Sequence, residues 1–214
     1  MSLDVLNPIS VTSLNNLDLC PDQVIGKTIK VHTEDNGIPD LDGVKVVLIG
    51  LTENRNAFFP TSNYDLDSFR ISFYKLYPGN WGFEIADLGN LPDGEIVTDT
   101  YFALTEICNE LQKINIITVL IGGSHDMIYS VYKSYSNNKL LVNILSIDNQ
   151  FDFSQDEELI SGRSYMSRII MEDPNFLQNY TNLGYQSFFI AQQELDLMDK
   201  LFFESVRLGK ILDD

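Results

Sequence analysis

The sequence predicts an α/β fold: a central parallel sheet with helices on both faces, in three layers. The first observation is a set of short, nearly continuous apolar runs at residues 44–51, 116–121 and 140–147, as in strands that are buried on both faces. The second is that helical patterns separate these runs, which is the rhythm of right-handed crossovers. The third is that the last two runs end in polar clusters, as strands do when they deliver side chains to one edge of a sheet.

Composition narrows the class of protein further. The 214 residues are 44% hydrophobic and 21% charged, which fits one soluble globular domain. Thirty-one acidic residues against 14 basic ones leave a net charge of −17, which repels phosphate backbones and anionic membranes. We therefore expect no nucleic-acid partner, and no apolar run approaches the length of a membrane span. Cys20 and Cys108 lie far apart, which indicates two reduced thiols and a cytoplasmic protein.

The N-terminal residues differ in character from the rest. Residues 1–42 are polar and are interrupted by proline and glycine, which predicts an N-terminal arm or edge elements. Residues 43–214 are then the α/β domain. His32 lies in a stretch of alternating polarity, which favours a surface position on a strand over a ligand role.

The domain begins with the strand at residues 44–51, which is closed by a glycine. Apolar residues at helical spacing predict helices, at residues 66–76, 97–111, 165–171 and 192–206. Further apolar runs predict strands, at residues 83–89, 116–121, 140–147 and 183–190. After Gly123, either Ser124 or Asp126 caps a helix that ends at Asn137.

Two segments carry the polar clusters at the strand ends. Residues 121–126 read Ile-Gly-Gly-Ser-His-Asp, and residues 146–152 read Ser-Ile-Asp-Asn-Gln-Phe-Asp. They resemble, respectively, the Gly-Gly-Asp-His-Ser and Asp-Ala-His-x-Asp motifs of the arginase/agmatinase/formimidoylglutamase (ureohydrolase) family. Residues 182–186 are similar to the strand that follows in that family, and the order and spacing of the three segments agree. The resemblance implies the arginase-like fold.

The resemblance also implies a metal site. In the family, the motif histidines and carboxylates hold two manganese ions, which activate water for attack on a guanidinium or formimidoyl carbon. His125, Asp148 and Asp152 match three of those ligands, with Asp126 as a nearby polar group. Gln150 stands where the second histidine belongs, and its amide oxygen is a weaker ligand.

An alternative without metal stays open for these residues. Asp148 and Asp152 would then cap the loop that follows the strand, and His125 would hydrogen-bond near a helix start. The glycine-rich substrate loop of the family is also altered here, because Arg55 is the one arginine within residues 52–60.

The later carboxylate motif of the family, Ser-x-Asp-x-Asp-x-x-Asp-Pro, is absent from the sequence. We therefore expect an N-terminal portion of the family fold, incomplete at its C-terminal end. Missing strands would leave an open sheet edge, which predicts a homo-oligomer.

Two functions follow from the resemblance. The first is metal-dependent hydrolysis of a C–N bond in a small guanidino or formimidoyl substrate, with formimidoylglutamase as the most similar branch and with this chain expected to be inactive. The alternative is a non-catalytic relative that keeps the fold for binding or assembly and holds no cofactor. Fold alone does not decide between them.

Overall fold

A computed structural model describes residues 2–60, 65–154 and 160–212 of the chain. The chain divides into two compact units. The first unit comprises Met1–Arg55 and Phe59–Ser124, and the second comprises Asn56–Phe58 and His125–Asp214. The predicted division into an arm at 1–42 and a domain at 43–214 stays a prediction.

The first unit is built on a parallel sheet. Its strands, among the residues described, are β1 (Lys30–Val31), β2 (Val44–Leu51), β3 (Glu84–Leu91) and β4 (Ile117–Gly122). They pair in the order β1-β3-β2-β4, and every pairing is parallel. β2 lies inside this sheet, and most of its side chains are buried. The prediction from its continuous apolar run is confirmed.

Three α-helices of this unit are described. They are α1 (Val11–Asp18), α2 (Leu66–Tyr74) and α3 (Val97–Lys113). α3 buries Leu104, Ile107 and Leu111 completely, at the 3- and 4-residue spacing of one helical face. Asp65 caps α2 by accepting a hydrogen bond from the Ser68 backbone N–H at 2.9 Å.

An ion pair is buried in the first unit between α2 and β3. The Arg70 guanidinium donates to both carboxylate oxygens of Asp87, at 2.8 and 3.1 Å. Asp87 also accepts from the Tyr74 hydroxyl at 2.8 Å and from the Gly89 backbone N–H at 2.9 Å. The remaining guanidinium donors reach the Asn90 side chain and the Gly89 carbonyl. Because every charged atom has a partner, the pair tolerates complete burial.

The N-terminal segment is tied to β3 through its backbone. Asn7 and Asn90 exchange two N–H···O bonds of 2.8 Å each, and Leu3 and Leu6 are buried. Gly89 makes this approach possible, because its φ is +84° and a Cβ atom there would lie 1.9 Å from the Asn7 carbonyl oxygen.

His32 occupies a different environment from the one predicted. Its side chain is 7% exposed, and Nδ1 lies 3.0 Å from the Leu88 carbonyl oxygen. The expectation of a surface position was therefore wrong. The reason is that the chain leaving β1 continues along β3, where the Asp87 carbonyl accepts the His32 backbone N–H at 2.9 Å.

The second unit contains another parallel sheet. Its strands, within the described part of the chain, are β5 (Val142–Ile147), β6 (Leu177–Tyr185) and β7 (Glu204–Arg207), in that order across the sheet. Its helices are α4 (Met127–Asn137), α5 (Tyr165–Ile170), α6 (Gln192–Lys200) and α7 (Leu208–Leu212). Every strand pairing in this sheet is parallel, as in the first unit.

Aromatic side chains dominate the core of the second unit. Phe153 and Tyr180 pack with their ring centroids 5.7 Å apart, and Phe151 contacts Tyr185 at 5.2 Å. Met166 and Met198 fill the remaining space in the same cluster. The core thus lies beside the loop that follows β5.

The C-terminal elements differ from their predicted bounds. The helix expected at residues 192–206 ends at Lys200, and Phe202 takes a left-handed φ of 57°. β7 then pairs with β6, so the backbone hydrogen bonds of this segment go to a neighbouring strand. The strand expected at 183–190 lies instead at Leu177–Tyr185, because polar residues such as Asn179 obscure its start.

Two strands lie at the ends of their sheets with apolar side chains exposed. Among the described residues, β4 pairs with β2 at the end of the first unit's sheet and exposes Ile117, and β5 pairs with β6 at the end of the second unit's sheet and exposes Leu145 and Ile147. Separately, no helix in the described residues is both long and apolar enough to cross a lipid bilayer.

Candidate metal centre

The loop after β5 is fixed to β6 by three hydrogen bonds. The Asp148 N–H donates to the Leu183 carbonyl at 3.1 Å, and the Gln186 N–H donates to the Asn149 carbonyl at 3.1 Å. Asn182 donates from Nδ2 to the Gln150 carbonyl at 2.9 Å. The carboxyl end of this parallel strand thus presents a short, held loop, which is the usual place for functional side chains in such sheets.

His125 and two aspartates converge at this loop. The His125 Nδ1 atom lies 3.2 Å from Oδ2 of Asp152 and 3.4 Å from Oδ2 of Asp148. One potential ligand atom from each of the three residues lies within 4.8 Å of the others. The structure therefore brings together the three residues that the sequence pattern suggested as ligands.

The surroundings of the cluster orient its side chains. The His125 ring meets the Tyr165 ring edge-on, with centroids 6.3 Å apart and an interplanar angle of 84°. Asp152 is buried and takes a left-handed φ of 57°, a conformation that aspartate tolerates better than most residues. Its carboxylate contacts the imidazole, with Oδ2 at 3.2 Å from Nδ1.

The two partners influence each other's protonation. The hydrogen bond to the Asp152 carboxylate raises the pKa of His125, burial lowers it, and the negative charges of Asp152 and Asp148 raise it further. Burial raises the pKa of Asp152, and the hydrogen bond and charge of His125 oppose that rise. A site with two carboxylates beside one imidazole has a local excess of negative charge that a bound cation would neutralise.

The donor set fits one divalent ion. Imidazole nitrogen and carboxylate oxygen suit manganese and zinc, and three protein ligands leave coordination positions open. Three donors are too few for two ions. A buried carboxylate also needs compensation for its lost solvation, and an ion held by Asp152 would provide it.

Two of the remaining predicted site residues lie in the second unit near the cluster, and the third lies in the first unit. Asp126 is completely buried as the residue before α4. The Gln150 backbone N–H donates to Asp148 Oδ1 at 3.3 Å, and Gln150 is one of the residues that line a pocket. Arg55 lies in the first unit, where it bonds to the Glu53 carboxylate and to the Gly94 and Glu95 carbonyls. These contacts engage its donors in holding a loop, and its role in a substrate loop stays a prediction.

A pocket of about 590 Å³ in the second unit extends from Asp152. Its lining includes Gln150, Phe153, Arg163, Phe189 and Glu194. The sequence analysis did not identify Arg163 or Glu194, because a single charged residue in a loop or first helical turn carries no pattern. Asn182 was also missed as a support of the loop, although it opens the third motif.

Comparison with known proteins finds similarity at the level of structure. Sequence comparison matches no protein-family profile and no curated protein. Among solved structures, formimidoylglutamase from Bacillus subtilis superposes with a TM-score of 0.73 at 14% identity, over 90% of this chain and 63% of that one. Trypanosoma cruzi formiminoglutamase with Mn2+2 gives 0.71 at 10% identity, over 90% and 67%.

The agmatine ureohydrolase of Thermoplasma volcanium gives a TM-score of 0.67 at 16% identity, over 92% of this chain and 65% of that chain. The present chain thus spans about two thirds of the length of these proteins. The parallel sheets with flanking helices match in all three, so the predicted α/β class is confirmed. The chain has the arginase-like fold that formimidoylglutamase, agmatinase and arginase structures share.

Proposed function

We propose that this chain holds one Mn2+ ion through His125, Asp148 and Asp152, as part of an arginase-like hydrolase of C–N bonds in small guanidino or formimidoyl compounds. The observation that carries the proposal is the convergence of three ligand atoms within 4.8 Å. The fold likeness to formimidoylglutamase and agmatine ureohydrolase supports the substrate class.

The residues of the site have separable tasks in this proposal. A bound ion would supply Lewis-acid chemistry and lower the pKa of water near it. Asp148 and Asp152 would supply carboxylate oxygens that neutralise the ion, and the His125 imidazole would supply its nitrogen ligand. The Asn182 hydrogen bond to the Gln150 carbonyl keeps the loop in place.

Metal binding tests the proposal directly. Calorimetry with Mn2+ and elemental analysis of the purified chain should give one ion per chain. His125→Ala and Asp152→Asn should weaken binding by more than about 100-fold, because loss of a direct ligand costs more than loss of a supporting group. Asp199→Asn removes an exposed carboxylate on α6 and serves as the control for net charge. The absence of binding by the unmodified chain would refute the proposal.

A second candidate is a non-catalytic relative that uses the fold for binding. The observation in its favour is the small donor set, with Gln150 at the position of a second histidine. Gln150→His discriminates between the two. A second ion, accompanied by release of urea from arginine or of formamide from formimidoylglutamate, would favour a hydrolase. Binding of one ion without turnover in either protein would favour the non-catalytic relative.

We also propose that the protein self-associates in the cytoplasm. Self-association is supported by the apolar end strands β4 and β5, since open strand edges promote pairing. The cytoplasmic location is supported by two free, buried cysteines. Light scattering that gives the monomer mass at high concentration would contradict the oligomer.

A further inference from the structure

The pocket beside the candidate metal centre is lined both by a potential metal ligand and by a positively charged side chain. Asp152 and Arg163 both line this cavity of about 590 Å³. A cavity of that size accommodates a small organic molecule. One ligand in the pocket could therefore contact both ends.

Arg163 is held at its backbone and at its guanidinium. The Ser154 N–H donates to the Arg163 carbonyl at 3.0 Å, and the Arg163 N–H donates to Ser161 Oγ at 3.2 Å. Its guanidinium carbon lies 3.4 Å from the centroid of the Phe58 ring. This is a cation–π contact, which favours a fixed position of the guanidinium. Arg163 is thus a positioned donor.

The acidic groups of the pocket already have partners. Asp152 pairs with His125, and Glu194 accepts a hydrogen bond from the Ala191 N–H at 2.9 Å at the start of α6. Within the described ranges, no carboxylate forms an ion pair with Arg163. Among the described residues that line the pocket, the Arg163 guanidinium is thus a cation outside any ion pair, and it attracts an anionic group.

A carboxylate is the anion that suits this position. The guanidinium fork matches a planar carboxylate in two parallel hydrogen bonds. The neighbouring Asp152 and Glu194 charges repel a doubly charged phosphate more strongly than a singly charged carboxylate.

We infer that Arg163 is a specificity-determining residue: it binds the carboxylate of a small amidine or guanidine ligand whose other end faces Asp152. This inference rests on the proposed function and adds the substrate class to it. It predicts that amino-acid ligands are preferred over their decarboxylated amines.

Calorimetry on the full chain, with and without Mn2+, tests this preference. L-Arginine and agmatine form a matched pair that differs in the carboxylate, and N-formimidoyl-L-glutamate and inorganic phosphate complete the probes. The variants are Arg163→Gln, Arg163→Lys and, as the control for charge, Arg168→Gln on the exposed side of α5. Thermal unfolding by circular dichroism checks that each variant folds.

The expected result is that at least one of the two carboxylate-bearing amidines binds more tightly than agmatine and phosphate. Arg163→Gln should lower that affinity about 10- to 100-fold, the loss expected for a charged hydrogen-bonded pair. Mn2+ affinity should not fall, because Arg163 is not a proposed ligand of the ion. The affinity of Arg163→Lys for the carboxylate-bearing ligand should lie between those of the unmodified chain and of Arg163→Gln. The affinity of Arg168→Gln should equal that of the unmodified chain.

Three results would overturn the inference. The first is that neither arginine nor formimidoylglutamate binds more tightly than agmatine. The second is that phosphate binds more tightly than both carboxylate-bearing probes, and the third is that Arg163→Gln keeps the full affinity for them. So would the absence of binding by both carboxylate-bearing probes. Failure of the unmodified chain to bind Mn2+ refutes the metal proposal separately, because the effect of Arg163→Gln is also measured without metal.

Discussion

Replacing Asp87 by alanine should destabilise the first unit severely. Asp87 lies in the middle of β3, is fully buried and accepts four hydrogen bonds, two of them from the Arg70 guanidinium. The substitution leaves that guanidinium buried with the Asn90 side chain and the Gly89 carbonyl as its remaining partners. An uncompensated cation then loses its solvation without a counter-charge in return.

The expected loss is about 3–5 kcal/mol of unfolding free energy, the usual range when one member of a buried pair is removed. That is a large part of the total of about 5–15 kcal/mol for a folded protein. At about 2–4 °C per kcal/mol for a chain of this size, the melting temperature should fall by roughly 6–20 °C.

Urea unfolding followed by circular dichroism and by Trp81 fluorescence measures this loss, and Trp81 reports on the first unit. Asp35→Ala, at an exposed position, is the matched control and should change stability by less than about 0.5 kcal/mol. The double variant Arg70→Met/Asp87→Leu removes both charges and should recover most of the stability. A loss below about 1 kcal/mol in Asp87→Ala, or a double variant as unstable as the single one, would refute this account.

Three further changes test other parts of the molecule. Asn182→Ala removes the hydrogen bond to the Gln150 carbonyl and should weaken Mn2+ binding about 10-fold, whereas unchanged affinity in calorimetry would mean that the loop is held without it. Leu104→Ala in the buried face of α3 should cost about 2–5 kcal/mol in urea unfolding, and a cost below 1 kcal/mol would contradict that packing. Leu145→Lys on the exposed side of β5 should shift light scattering towards the monomer, and an unchanged mass would exclude that strand from the contact.

The sequence alone was sufficient to predict the strands and helices whose apolar residues follow a regular pattern. The run at 44–51 became β2 without adjustment, and the apolar spacing at 97–111 became α3. Both signals come from side chains that face one packed environment along the whole element. The polar clusters after two apolar runs indicated which edge of a sheet carries the site, and the family resemblance supplied His125, Asp148 and Asp152 as its residues.

The sequence was not sufficient to predict a structure where one apolar pattern fits both a continuous helix and a helix followed by a strand. Leu195, Met198, Leu201 and Phe202 have helical spacing, yet the helix ends at Lys200 because the next residues pair with β6. That pairing depends on residues 22 or 23 positions earlier, such as Thr181 opposite Glu204, and local periodicity does not encode it. The partners of Arg55 and Arg163 were equally hidden, since an arginine in a loop can bind a carbonyl, a carboxylate or a ring.

The Asn7–Asn90 tie has a consequence for how this protein can vary and be engineered. The two hydrogen bonds join main-chain atoms, so most substitutions at Asn7 would preserve them, while any side chain at Gly89 would push the segments apart. A deletion through Asn7 should therefore remove both hydrogen bonds to Asn90 and the buried side chains of Leu3 and Leu6, and should increase the susceptibility of the first unit to proteolysis. The segment around Asn7 can thus vary in sequence and still be required for the structure.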